Sequence, residues 1–237
     1  MNMAVFGDSF ADYNNALAKD QPNESWVHTI QQQKKLDAWG RSGSSIWYSF
    51  ELFKQHYSKY TQIVFCHSDM HRIHHLPRTF EGFSFVKPSK RNPHQNPAVN
   101  RLVDVYYKNF WNAQLDQYLA QSIFDSVNRI CHENNIQLVN LLPFQSLDEM
   151  TLDLSTRKGM TIIGLAQLSQ KERDVNSELQ HSFGQGDNRW CHLTRENNQA
   201  LAKLITTGFL APVTLIDVNR VKSFVVSKEN SNRYRIG

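Results

Sequence analysis

Short apolar runs recur along the chain at Met3 to Phe6, Leu36 to Trp39, Ile63 to Cys66, Leu138 to Leu142 and Thr214 to Val218. Each is too short for an ordinary helix and is bounded by polar or turn-forming residues, which predicts strands buried on both faces. Between them the apolar positions shift to three- and four-residue spacing. Ile46, Phe50, Phe53, Tyr57 and Tyr60 form one such set, and Val99, Leu102, Val103, Tyr106 and Phe110 a second. A third, Ala200, Leu201, Leu204 and Ile205, starts after a Thr194 cap and stops at Gly208. Strands alternating with helices predict an α/β fold, a three-layer α/β/α sandwich around a central parallel five-stranded sheet.

Two segments break the alternation. Residues 76–97 carry Pro77, Pro88, Pro93 and Pro97, too many breakers for an element and too many residues for an ordinary loop. Residues 218–237 hold Arg220, Lys222, Lys228, Arg233 and Arg235 around an apolar Phe224-Val225-Val226, a pattern of solvated or partner-docking arms. The expected organisation is a single domain over residues 1–217, with a Pro-rich insertion at 76–97, followed by a basic tail at 218–237.

With 237 residues, 40% of them hydrophobic and 20% charged, the chain has the composition of a folded domain and not of a disordered one. Its net charge is +4, too small an excess to argue for a nucleic-acid partner. That charge is unevenly spread. The tail carries +4 and the insertion +3, leaving −3 on the rest, so the two appendages are where an acidic or polyanionic partner is expected, and the tail is the candidate protein-docking arm. No apolar run is long enough for a membrane span, and the first residues lack the basic and apolar regions of a signal peptide. Three cysteines, Cys66, Cys131 and Cys191, without a Cys-x-x-Cys pair suit a reducing compartment, either the cytoplasm or a virus particle assembled there.

In an open α/β sheet, ligands bind beyond the carboxyl ends of the strands. Four segments follow strands or precede the last helix there: Gly7-Asp8-Ser9, Gly40-Arg41-Ser42-Gly43-Ser44-Ser45, Cys66-His67-Ser68-Asp69-Met70-His71-Arg72, and Asp187-Asn188-Arg189-Trp190-Cys191-His192-Leu193-Thr194. Gly, Asp and Ser are ordinary turn residues, so the first is weak evidence alone. The second offers backbone N–H groups suited to an oxyanion, although Ser44 or Ser45 also fits as a plain helix cap.

In their order and spacing these blocks resemble the SGNH hydrolase family, the GDSL-type esterases and lipases, over most of the chain. The resemblance implies a flavodoxin-like α/β/α fold and ester hydrolysis without cofactor or metal. It carries the nucleophile over to Ser9, the oxyanion-hole glycine to Gly43 and the catalytic base to His192. The third block of the family reads Gly-x-Asn-Asp, so Ser68 stands where an oxyanion-donating Asn is usual. The family's acid usually lies three residues before the histidine. Here Arg189 occupies that place, and the nearest acid is Asp187. Loss of one oxyanion donor costs roughly 10² to 10³ in rate in other hydrolases, and neutralising the orienting acid about 10⁴.

The chemistry can be stated independently of the family. A serine needs an adjacent base to become a nucleophile, and histidine suits neutral pH. Ser9 and His192 form the candidate pair, the Ser9 and Gly43 N–H groups with Ser68 the candidate oxyanion hole, and His67, Asp69 and Arg72 the candidate substrate contacts. The expected substrate is a small acyl ester or an acylated carbohydrate. His67, His71, His74 and His75 crowd one segment, but their spacing fits no defensible metal motif. Cys66 is expected to pack rather than react. The competing expectation is a catalytically weak or inactive binding or structural module of the same fold, in a virion or surface assembly of bacteriophage or bacterial origin.

Overall fold

The computed structural model describes residues 2–12, 25–41, 43–70, 72, 97–143, 160–164, 195–209 and 214–217. Asp187, His192, Cys191, His71, His74, His75, the tail at 218–237 and the insertion up to residue 96 lie outside these. In chain order the elements are β1 (Met3–Gly7), α1 (Trp26–Gln31), β2 (Leu36–Gly40), α2 (Ile46–His56), β3 (Gln62–Cys66), α3 (Pro97–Asn109), α4 (Ala113–Glu133), β4 (Gln137–Leu142), β5 (Met160–Gly164), α5 (Arg195–Gly208) and β6 (Thr214–Asp217).

The strands form one parallel sheet in the order β2-β1-β3-β4-β5-β6. All five apolar runs are strands of it. β5 is the additional sixth, placed between β4 and β6, with Ile162 and Ile163 fully buried.

Alternation along each strand divides the core into two layers. Met3, Val5, Val64, Val139, Leu141 and Ile163 pack against Trp26, Val27 and Ile30 of α1 and Leu201, Ala202 and Ile205 of α5. Ala4, Phe6, Ile63, Phe65, Leu138 and Ile162 face Ile46, Phe50 and Phe53 of α2 and Ile123, Phe124 and Val127 of α4. Helices thus cover both sheet faces, as the continuous apolar strands require. Phe53 centres the second layer, edge-on to Phe6 at 5.6 Å and to Phe65 at 5.8 Å.

The helix patterns hold with two differences. α1 and the long α4 are additional to the expected helices, and of the set expected on α3 Leu102 faces outward while Phe110 lies just past the helix end. Val103 and Tyr107 are its buried pair, whereas Leu102 and Phe110 are exposed. No helix among the described residues is long and apolar enough to cross a membrane.

Strand order reverses at β1, with β2 on one side and β3 on the other. In such a sheet a ligand usually binds beyond the carboxyl ends of the strands at this reversal.

Candidate functional site

The segments after β1, β2 and β3 meet beyond these strand ends. Gly7 pairs with Gly40, and Phe6 with Phe65, so the three strands end nearly level. Beyond β1 the backbone turns at once: Ala11 N–H donates to the Asp8 carbonyl at 3.0 Å, and Phe10 N–H to Asp8 Oδ1 at 3.0 Å. This Asx turn carries Ser9, partly exposed, at its apex, while Asp8 has no exposed surface. The loop presses so closely on β2 that a Cβ on Gly40 would run into the Ala11 carbonyl.

Beyond β2, Ser44 N–H donates to the Arg41 carbonyl at 3.1 Å, closing a turn in which Gly43 has φ 80°. That is a left-handed conformation of the kind a type II turn needs at its third position. The two serines that follow have separate roles. Ser45 Oγ caps α2 by accepting from Tyr48 N–H at 3.4 Å, and Ser44 Oγ donates to the Gly7 carbonyl at 3.3 Å. Arg41 N–H also donates to Gly7 O, at 3.1 Å, so the second loop is bound to the root of the first.

The third loop supplies Arg72. Its Nη1 lies 2.8 Å from Asp8 Oδ2 and donates to the Ser44 carbonyl at 2.7 Å, touching both other loops. The sequence leaves open whether Arg72 meets a substrate anion or Asp69. In the structure its Nη1 faces inward, to Asp8, which changes the substrate-contact expectation for that nitrogen. Burial raises the Asp8 pKa, opposed by Arg72 and reinforced by the nearby Asp69 charge. Asp69 itself is partly exposed.

His67 departs furthest from its expected place. It follows Cys66 in the sheet alternation and so points into the α4 layer, 1% exposed, between Phe65 at 4.8 Å and Phe124 at 5.3 Å. Its Nε2 donates to Asn140 Oδ1 at 2.9 Å, Asn140 Nδ2 donates to Asn128 Oδ1 at 2.8 Å, and Asn128 Nδ2 donates to the Phe124 carbonyl at 2.7 Å. The amide directions make Nε2 the protonated nitrogen of a neutral ring. Burial lowers the His67 pKa to about 4, the Asn140 bond working the other way. His67 is therefore a buried core residue rather than a substrate contact. Ser68, next in the chain, also has no exposed surface. Cys66 is buried at the same strand end, and burial raises its thiol pKa well above the usual value, so it is not the thiolate a nucleophile requires.

A path of hydrogen bonds runs from the Ser9 turn to α5. Trp26 Nε1 donates to the carbonyl of Phe10, the residue after Ser9, at 2.9 Å, and Trp26 N–H donates to Asn198 Oδ1 at 3.1 Å. Asn198 lies in the first turn of α5, six residues beyond His192. The sequence reading missed both this path and the Asp8–Arg72 pair.

No protein-family model matches the chain, and no curated protein sequence matches it. Solved structures similar to it include a protein of Desulfitobacterium hafniense DCB-2 assigned to the lipolytic G-D-S-L family, at 9% identity and TM-score 0.41, and an acetyl xylan esterase, AlAXEase, at 13% identity and TM-score 0.45. Each match covers 87% of this chain and 98% of the other.

Proposed function

We propose that the protein is a serine hydrolase of small acyl esters, acetylated carbohydrates among them. The observation that carries this reading is the Ser9 turn. A partly exposed serine stands at the apex of an Asx turn beyond the first strand, at the point where strand order reverses. The Trp26 path adds support, because it ties that turn to the start of α5, the helix that His192 precedes by three residues.

In the proposed reaction His192 takes the Ser9 hydroxyl proton as Oγ attacks the ester carbonyl, and Asp187 orients the imidazole. The oxyanion that develops is stabilised by the Ser9 and Gly43 N–H groups, while Ser68, the expected third donor, has no exposed surface from which to reach it. His192 then gives its proton to the departing alcohol. The same residue activates a water that releases the acid from Ser9.

Hydrolysis of 4-nitrophenyl acetate tests the reading. The wild-type protein is expected to turn it over with saturation, and Ser9→Ala to lose that turnover while keeping its thermal unfolding transition. Equal rates for the two proteins would exclude Ser9 as the nucleophile.

A second reading, a binding module of this fold, is supported by the large apolar side chains exposed along α3 and the start of α4: Leu102, Val105, Phe110, Leu115 and Tyr118. A folded protein inert to the ester would favour it, and the basic tail is then the first segment to delete in a partner-binding assay.

A further inference from the structure

We propose that Arg72 is a positioning residue: by bridging the Asp8 carboxylate and the Ser44 carbonyl it fixes the Ser9 turn relative to the Gly43 turn. The inference rests on the hydrolase reading and deepens it.

Three loops have to be held in one geometry for acyl transfer, and the sheet ladder stops short of all of them. β1 and β2 are last paired at Gly7 and Gly40. The second loop is bound to Gly7 through Arg41 N–H and Ser44 Oγ, but Gly7 lies before the turn that carries Ser9. That turn is held by Trp26 Nε1 on the Phe10 carbonyl and, toward the second and third loops, by the Asp8 side chain. Oδ1 shapes the turn by accepting from Phe10 N–H, and Oδ2 lies 2.8 Å from Arg72 Nη1, an ion pair without hydrogen-bond alignment. The same Arg72 nitrogen reaches Ser44 O, one residue beyond Gly43. One nitrogen thus joins the nucleophile turn, the oxyanion turn and the third loop.

The pair is well shielded. The Asp8 side chain has no exposed surface and that of Arg72 is 13% exposed, so water competes weakly for either partner. Misplacing reacting groups by about 1 Å lowers rates about 10²-fold, and this sets the scale of the expected effect.

The test compares wild type, Arg72→Lys, Arg72→Met and the double variant Asp8→Asn/Arg72→Met. The readouts are kcat and KM for 4-nitrophenyl acetate and the rate of Ser9 labelling by a fluorophosphonate. Arg72→Met is expected to lower kcat and the labelling rate together, by roughly 10- to 100-fold, with KM nearly unchanged. Arg72→Lys should recover part of the loss. The double variant removes the lone buried carboxylate, so it should unfold at a higher temperature than Arg72→Met yet remain slow. If Arg72→Met does not fold, the double variant supplies the kinetic comparison. Wild-type kcat and labelling in either variant would overturn the proposal, as would a raised KM with kcat preserved, which would place Arg72 on the substrate. A wild-type protein that neither labels nor hydrolyses refutes the hydrolase reading, and this role with it. Labelling at wild-type rate in Arg72→Met refutes the positioning role alone.

Discussion

Acidification is expected to weaken the fold through His67. Its ring is buried between Phe65 and Phe124, with its pKa lowered to about 4 from an ordinary 6.5. Between these values the unfolded chain binds a proton that the folded protein refuses, so stability falls as pH drops through that window and levels off below it. A difference of about 2.5 pKa units corresponds to about 3 kcal/mol, most of it lost by pH 4. That is a large share of the roughly 5–15 kcal/mol that holds a typical domain together. The perturbation is His67→Gln, whose amide nitrogen can still donate to Asn140 Oδ1 but takes up no proton. Urea unfolding of both proteins at pH 7 and at pH 4 gives four free energies. The pH-dependent loss should be about 3 kcal/mol smaller in the variant. Asp8, with its raised pKa, acts in the opposite sense, but it is common to both proteins and cancels in the double difference. Equal losses in the two proteins would refute the reasoning, as would a His67 imidazole that titrates near 6.5 in the folded state.

Two further substitutions test the frame of the site. Gly40→Ala should displace the Ala11 carbonyl and the Ser9 turn with it, costing about 1–3 kcal/mol in chemical unfolding and slowing Ser9 labelling. Gly43→Ala places a side chain at φ 80° and should cost about 1–2 kcal/mol by thermal unfolding, with a larger fractional loss in kcat than in KM.

The strands that the sequence reveals are those whose apolar content is dense. β1 and β3 are fully buried throughout and read as apolar runs, whereas in β5 Thr161 splits the apolar content into Met160 and the Ile162-Ile163 pair. α4 hides for another reason. Asp116 and Asn128 sit among its buried positions, bonded to Trp111 and to Asn140, and they interrupt the apolar period that would announce the helix. α1 has only six residues, too few for a period to repeat. On α3, Leu102 fits a helical spacing but not the buried face, because spacing alone does not say which stripe finds a partner, and Phe110 falls just beyond the helix.

Within the site the turn-forming residues were legible, since Gly43 and the Gly7-Asp8-Ser9 turn are set by local backbone needs. The Asp8–Arg72 contact was not, because it joins residues far apart in sequence and Asp69 offered Arg72 a nearer acid. His67 misled for a related reason. Its neighbours in sequence are polar and reactive, while its neighbours in space are Phe65, Phe124 and Asn140, and only the pleat of β3 decides between the two.

The most direct measurement of the central claim is mass spectrometry of the intact and digested protein after exposure to a fluorophosphonate. A single adduct on the peptide carrying Ser9, absent from Ser9→Ala and strongly slowed in His192→Ala, is the predicted result. A folded wild-type protein that acquires no adduct, or acquires one at another serine, would contradict it.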